Sequence, residues 1–311
     1  MAQQQTKIVV LGGINMDLVT YSPRFPQSGE TVVGSSFITY AGGKGANQAV
    51  AVARMGADSK MVGRVGGDMF GPQLLEGMTA AGVDVSGVGT NQEVSSGIAV
   101  IGVDDTAQNC ITQVLGANDT CGPAEAQAVK NALSGASFLL LQLEVSIQLS
   151  LEVAQAAKAQ GVEVMLDPGP VRPVPDESFA LCDVITPNET EAQALVGFPV
   201  TDEESAAQAA SQLLERGVGL VVVKLGAQGA YYANSEERGM VRPFDIEAVD
   251  SVAAGDAFNG ALAVSLAEGA ALERAVTFAS AAGALAVTQS GAQDSMPRRA
   301  QVEALVRDQR P

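Results

Sequence analysis

Phe138 to Leu166 reads FLLLQLEVSIQLSLEVAQAAKAQGVEVML, and this stretch decides the fold class. Phe138 to Leu143 is almost continuously apolar. A strand with one wet face alternates apolar and polar residues, so this run predicts a strand covered on both faces. Ile147 to Gln160 then reads as a helix, stopped by Gly161, because glycine accepts the left-handed conformation that follows a helix end. Val162 to Leu166 is a second short apolar strand.

The same rhythm extends in both directions. Towards the N-terminus, Lys7 to Leu11 and Lys60 to Val65 read as strands. Ala46 to Met55 and Phe70 to Ala81 read as helices closed by Gly56 and Gly82. Towards the C-terminus, Asp183 to Ile185 and Leu220 to Leu225 are strands. Between them, Asp202 to Arg216 sets Ala206, Ala209, Ala210, Leu213 and Leu214 on one helical face, with Gly217 as the stop. Asp256 to Glu268 and Leu272 to Thr288 are Ala-rich helices, and Val302 to Arg307 closes the chain. This order predicts an α/β fold, a mainly parallel central sheet with helices on both faces. Two Thr/Val/Ile-rich segments, Glu30 to Tyr40 and Gly97 to Leu115, lack helices between their halves, and Asp104-Asp105-Thr106-Ala107 reads as a hairpin turn. They predict a small β-sheet lid, inserted from about 17–41 and 97–115 into a single domain covering residues 1–311.

Composition narrows the function. Apolar residues make up 47% and charged residues 17% of the chain, a globular balance. No apolar stretch approaches the roughly 20 residues that cross a bilayer. The short polar start, Met1 to Thr6, and the brief apolar run Ile8 to Leu11 do not make a secretory signal. Three scattered cysteines, Cys110, Cys121 and Cys182, form no CxxC pair, so a cytoplasmic protein is expected. With 18 basic against 35 acidic residues the net charge is −17, which argues against nucleic-acid and anionic-membrane partners. An anionic ligand would need a local pocket of cations or N–H groups. The chain has no histidine, which removes Ser-His-Asp relays and His-ligated metals; a proton acceptor near pH 7 must be a carboxylate, Lys, Tyr or Cys.

The strongest local signal is Asp250-Ser-Val-Ala-Ala-Gly-Asp256-Ala-Phe-Asn-Gly260. Ala253, Ala254 and Gly255 are small and stand where a helix begins. The first turn of a helix has unpaired N–H groups and a positive dipole end, and small side chains let a phosphate approach them. Asp256 lies in the same turn, where a carboxylate can take a proton from a hydroxyl while the N–H groups hold a phosphoryl group. An isolated Gly-Asp would read as an ordinary helix start; the surrounding residues favour chemistry. Gly42-Gly43-Lys44-Gly45-Ala46-Asn47 is not a Walker A loop, because no Ser or Thr follows Gly-Lys. Its N–H groups, with Lys44 and Asn47, suit a polyol, although a tight turn would use the same glycines. Asn15 and Asp17 lie just past the first strand, two residues apart in an extended segment, so they face one side and can grip vicinal hydroxyls. Asn188-Glu189-Thr190-Glu191 opens a helix, where Glu complements the dipole or orders water around Mg²⁺. Lys224-Leu-Gly226-Ala-Gln-Gly229 ends an apolar strand and suits a turn beside a nucleotide.

Together these segments resemble the ribokinase family of carbohydrate kinases, the PfkB group. The resemblance is carried by GGINMD at 12–17, AGGKGANQAVA at 41–51, GRVGGDMFG at 63–71, ITPNETEA at 185–192 and VDSVAAGDAFNGAL at 249–262, in the family's order over nearly the whole chain. It implies a Rossmann-like core with a β-sheet lid, and ATP-dependent phosphorylation of D-ribose at its 5-hydroxyl with Mg²⁺. It makes Asp256 the base and Ala253, Ala254 and Gly255 the anion hole. Asn15, Asp17, Gly43, Lys44, Asn47 and Glu144 become sugar contacts. Asn188, Glu191, Lys224, Gly226, Gly229, Gly255 and Ser280 fall at the nucleotide. The family's activating monovalent cation, typically K⁺, would meet Asp250, Val252, Ala286, Gln289, Gly291 and Ser295. Two positions depart from the family pattern: Ser280 stands where His is frequent near the adenine, and Lys224 where a small hydroxyl residue is common. Other kinases of the family, acting on fructose, a 2-keto-3-deoxy sugar acid or a nucleoside, stay open, as does a non-catalytic sugar-binding regulator. A nicotinamide dehydrogenase would need GxGxxG after a strand, which Gly12-Gly13-Ile14-Asn15 does not supply. An apolar outer face of the lid would seek a partner, so a homodimer through the lids is expected.

Overall fold

A computed structural model describes residues 6–106 and 108–310. Most of the polar start Met1 to Thr6, and Ala107 of the expected hairpin turn, therefore lie outside the described residues. In chain order the elements are strands β1 (Lys7–Leu11), β2 (Asn15–Tyr21) and β3 (Ser36–Gly42), helix α1 (Lys44–Arg54), β4 (Asp58–Gly66), α2 (Phe70–Ala80), and β5 (Asp84–Asn91), β6 (Gly97–Val103) and β7 (Asn109–Val114). Then follow α3 (Pro123–Ala132), β8 (Phe138–Leu141), α4 (Ile147–Ala159), β9 (Glu163–Leu166), β10 (Val184–Ile185), α5 (Glu189–Val196) and α6 (Glu203–Glu215). The last are β11 (Leu220–Lys224), β12 (Ala230–Asn234), β13 (Arg238–Val241), α7 (Ala254–Ala267), α8 (Leu272–Ala286) and α9 (Arg299–Gln309).

The large sheet has the order β13-β12-β11-β10-β9-β8-β1-β4-β5. Every pair from β5 to β11 is parallel; β12 and β13 add an antiparallel edge. The fold is the expected α/β architecture, and the apolar run at 138 explains its centre. β8 lies between β1 and β9, with Ile8 opposite Phe138 and Leu11 opposite Leu141. Successive side chains of a strand point to opposite faces. Val10 and Leu140 accordingly join the core under α1, α2, α7 and α8, while Val9, Leu139 and Leu141 join the core under α3, α4, α5 and α6. Leu139 and Leu140 are fully buried, each stabilising the fold by roughly 1.5–3 kcal/mol.

The second sheet, β3-β2-β6-β7, is the lid. β2 pairs in parallel with β6, and hairpin-like antiparallel strands flank them. The strand expected from Glu30 begins only at Ser36. Pairing stops where β2 ends, at Tyr21 opposite Ser36, and Val33 before it is 85% exposed with no surface to cover. The sequence reading also passed over β5, α3 and the β12–β13 hairpin. β5 carries two glycines and pairs with the sheet only along one side, so its alternation is faint.

Candidate active site

Parallel neighbours place all their carboxyl ends on one edge of the sheet, where ligands of open α/β folds bind. Glu144 follows β8, Asp167 follows β9, Asn188 follows β10 and Lys224 closes β11; Asn188 and Lys224 form a bridge across that edge. Chain-distant side chains thus meet because their strands are neighbours.

Helix α7 arrives at the same edge. Its N-cap, Ala253, adopts a left-handed conformation with φ of 60°, which costs a non-glycine residue on the order of 1–2 kcal/mol. Among the described residues the N–H groups of Ala253 and Gly255 have no partner, and Ala254 N reaches Ser251 O only at 3.4 Å. Asp256 N turns back on Ala253 O at 3.0 Å. Unpaired donors at the positive end of a helix stabilise an anion. Residues 253 to 256 line a cleft of about 650 Å³, so these donors are open to a ligand.

Asp256 lies at the floor of this cleft, 4% exposed. Its Oδ2 accepts from Asn47 Nδ2 at 2.9 Å and its Oδ1 from Gln48 Nε2 at 3.0 Å. Lys44, Asn47 and Gln48 lie three and four residues apart on α1, so they share one face, turned towards α7. Gly260 of α7 makes that approach possible, since a Cβ there would meet Ala51 Cβ at 2.5 Å and Gln48 O at 3.1 Å. Gly43, with φ of 89°, lets α1 start against the beginning of β2, where a Cβ would meet Asn15 N at 2.7 Å. Burial above all pushes the Asp256 carboxyl up to about 6, against the pull of the Lys44 ammonium.

On the lid side, Glu144 joins core to lid. Its Oε1 accepts from Asn15 Nδ2 at 3.1 Å and from Gln113 Nε2 of β7 at 2.6 Å, and its Oε2 from Lys44 N at 2.7 Å. Asn118 orients Asn15 by donating to its Oδ1 at 2.8 Å. Asp17 is buried against Gly42, where a Cβ would come within 2.3 Å of its Oδ2. Burial, reinforced by the charges of Glu144 and Asp256, pushes Asp17 up to about 7. No side chain among the described residues donates to it, so its acceptors remain for a ligand.

On the other side, Asp167 collects two lysines. Its Oδ2 accepts from Lys44 Nζ at 3.1 Å and its Oδ1 from Lys224 Nζ at 3.4 Å. Burial opposes its ionisation, but the two ammonium groups hold its pKa below the ordinary value. Burial likewise pulls Lys44 down, and the charges of Asp167, Asp256 and Glu191 outweigh it, so Lys44 stays protonated. The sequence reading placed Lys44 with the sugar contacts. Its backbone N–H donates to Glu144, which the same reading placed there, but its ammonium turns to Asp167, with Glu191 Oε1 at 3.8 Å. Lys224 Nζ lies 3.3 Å from where a Cβ on Gly255 would stand, beside the free N–H groups.

Asn188, Lys224, Gly226, Gly229, Gly255 and Ser280 all line the cleft, with Phe244, Ile246 and Val287 as apolar wall. Glu191 stands behind them, its Oε2 accepting from Asn188 N at 2.9 Å in the capping box of α5. Ser280 Oγ is buried with no partner among the described residues. Beyond the unpaired N–H groups of α7, Asp250 accepts from Val252 N at 3.0 Å and from Gly291 N at 3.2 Å. Val249 N and Asp250 N both donate to Val287 O, next to Ala286. Asp250, Val252, Ala286 and Gly291 are thereby gathered. Gln289 is exposed and joins that group only through its N–H, which donates to Ala286 O at 3.4 Å; Ser295 is buried, and among the described residues its hydroxyl bonds to Ala292 O rather than to the group.

Residues 5–299 match the model of the pfkB family carbohydrate kinases. The chain belongs to this family. It is 39% identical over 300 residues to the ribokinase of Bacillus subtilis, covering 96% of this chain and 99% of the relative. Among solved structures it resembles the ribokinase of Thermotoga maritima, at 38% identity, with a TM-score of 0.88 and coverage of 97% and 99%. It also resembles the Arabidopsis thaliana ribokinase complexed with ribose and ATP, at 35% identity, with a TM-score of 0.90 and the same coverage. For a carbohydrate kinase of this family the mixed sheet and separate lid are the matching architecture.

Within this kinase, sequence reasoning missed Asp167, Gln48, Gln113 and Asn118. Asp167 had a signal, since it directly follows an apolar strand on the ligand edge. Gln48 stood next to Asn47, but its partners, Asp167 and Asp256, lie 119 and 208 residues away. Gln113 was hidden in a strand read only as lid.

Proposed function

We propose that this kinase phosphorylates D-ribose at its 5-hydroxyl with ATP, giving ribose 5-phosphate and ADP. The observation that carries the chemistry is the Asp256 carboxylate beside the unpaired N–H groups of Ala253 and Gly255. The substrate rests on the ribokinase relatives and on a polyol-suited pocket, in which Asp17 and Glu144 supply acceptors and Asn15, Asn47 and Gln113 supply amides. The sugar lies between core and lid, and closure excludes water, which suppresses ATP hydrolysis. The hydroxyl oxygen bonds to the γ-phosphorus as the bond from phosphorus to the ADP oxygen breaks, and ADP leaves with that electron pair. Asp256 takes the hydroxyl proton. Lys44, Lys224 and the helix N-terminus stabilise the charge on the transferring group.

Magnesium would be held through water by Glu191, whose Oε1 has, among the described residues, only the distant Lys44 contact, and would neutralise phosphate charge. A potassium ion fits the group gathered by Asp250, with Val252, Ala286, Gln289, Gly291 and Ser295 as its proposed surroundings, and would reinforce the neighbouring anion hole. Lid pairing in a homodimer is supported by Phe37, Val100 and Val114, which strand alternation places together on the lid's outer face, 59%, 42% and 46% exposed.

ADP release measured with ribose, fructose, 2-keto-3-deoxygluconate and a nucleoside, with and without K⁺, tests the reading. Ribose should give the highest kcat/KM. A better rate with any other acceptor would replace the substrate, and saturable ribose binding without ADP release would leave a regulator on a kinase fold.

A further inference from the structure

Both oxygens of Asp256 are held by neighbouring residues of one helix, and one of those residues reaches further. Gln48 Nε2 carries two protons. It donates to Asp256 Oδ1 at 3.0 Å and to Asp167 Oδ2 at 2.9 Å. An amide can be turned end for end, and the reversed orientation would set its oxygen against two carboxylates. The two carboxylates disfavour this, and Gln142 completes the arrangement: its Nε2 donates to Gln48 Oε1 at 2.7 Å. Gln142 is itself fully buried, following β8 and packed over Gly12, where a Cβ would come within 1.8 Å of its Oε1. Gln48 is 1% exposed.

We propose that Gln48 is a positioning residue for phosphoryl transfer, tying Asp256 to Asp167 through one amide nitrogen while Gln142 donates to its oxygen, so that base and lysine pair keep a fixed relation. The inference rests on the reading of Asp256 as the base. The benefit is geometric. The acceptor of the hydroxyl proton and the cations that meet the phosphoryl group are set relative to one another before either substrate arrives, which is the preorganisation that phosphoryl transfer relies on.

The charged groups around Asp256 are Lys44 from α1, Asp17 from β2, Asp167 after β9 and, beside Gly255, Lys224 from β11. Taking away the Gln48 donor leaves all of them in place. It removes one hydrogen bond that favours the ionised carboxylate, so Asp256 should titrate higher. A residue that merely packs would not move that titration.

The test uses Gln48→Met, Gln142→Met and Asp256→Asn, assayed with ribose and ATP between about pH 5 and 9, with folding checked by thermal melting. In Gln48→Met, kcat should fall roughly ten- to a hundredfold with little change in the KM for ribose, and the acid limb of kcat should move up by roughly half to one pH unit. Gln142→Met should shift the limb in the same direction by less. An unmoved acid limb in folded Gln48→Met overturns the proposal; should that variant not fold, an unmoved limb in Gln142→Met does so. Asp256→Asn separates the two readings. Near-wild-type turnover there removes the base, and with it anything for Gln48 to position. An inactive Asp256→Asn together with an unmoved Gln48→Met limb defeats the Gln48 inference alone.

Discussion

Replacing Asp256 by Asn removes the proposed proton acceptor while keeping its shape, and the structure says what should follow. The carboxylate now accepts from Asn47 at 2.9 Å and from Gln48 at 3.0 Å. An asparagine keeps one acceptor for Gln48 and presents an N–H₂ to Asn47. Asn47 Oδ1 is buried without a partner among the described residues, so a turn of the Asn47 amide lets it accept from the new donor. The fold should therefore survive. It should even gain at neutral pH. Burial raises the Asp256 pKa from 3.8 to about 6, so the folded state disfavours the ionised form. The wild-type protein loses stability as pH rises from 3.8 through about 6, by up to about 3 kcal/mol on 1.36 kcal/mol per unit. The amide of the Asp256→Asn variant does not titrate, so its melting temperature should match or exceed that of the wild type at pH 8 and show no advantage near pH 4. Catalysis should move the other way. Loss of a general base lowers kcat by roughly 10² to 10⁴, or about 3–5 kcal/mol of barrier. A coupled spectrophotometric assay of ADP release reads kcat, and a melt on the same sample reads the fold. A folded variant within tenfold of wild-type turnover would refute the assignment.

Asp17→Asn should show the larger gain in stability, because burial with the Glu144 and Asp256 charges raises Asp17 from 3.8 to about 7. The gain should be about 4 kcal/mol at pH 8, shrinking as pH falls from 7 to 4, with weaker ribose binding by calorimetry; an unchanged melting temperature at pH 8 would contradict it. Lys224→Met should raise the KM for ATP roughly tenfold with little effect on the KM for ribose, and an unaltered ATP KM would place Lys224 away from the phosphates. Phe37→Glu combined with Val100→Glu should convert the proposed lid-paired dimer to a monomer in light scattering after gel filtration, whereas a monomeric wild-type protein would end the lid-pairing proposal.

Local signals were legible where the chemistry is local. The helix N-terminus at Ala253 to Asp256 could be read because the donors and the carboxylate belong to one turn. Asn15 and Asp17 could be paired because a strand's period sets both on one side, and both are buried. Lys44 was half legible: its N–H lies where the glycine turn predicts, but the direction of its long side chain depends on Asp167, which lies 123 residues away. Ala253 gave no sign of its left-handed backbone, since that conformation is common only for glycine and is imposed here from outside.

The layers of this protein follow from the order of its residues alone, because apolar period and helix stops are properties of short segments. The same order also showed where an anion would find free N–H groups. Tertiary structure decided which distant side chains meet. Parallel pairing of β8, β9, β10 and β11 set Glu144, Asp167, Asn188 and Lys224 on one edge, and the packing of α1 on α7 brought Asn47 and Gln48 to Asp256. A carboxylate's pKa and a lysine's direction depend on such neighbours, and no segment of sequence carries them.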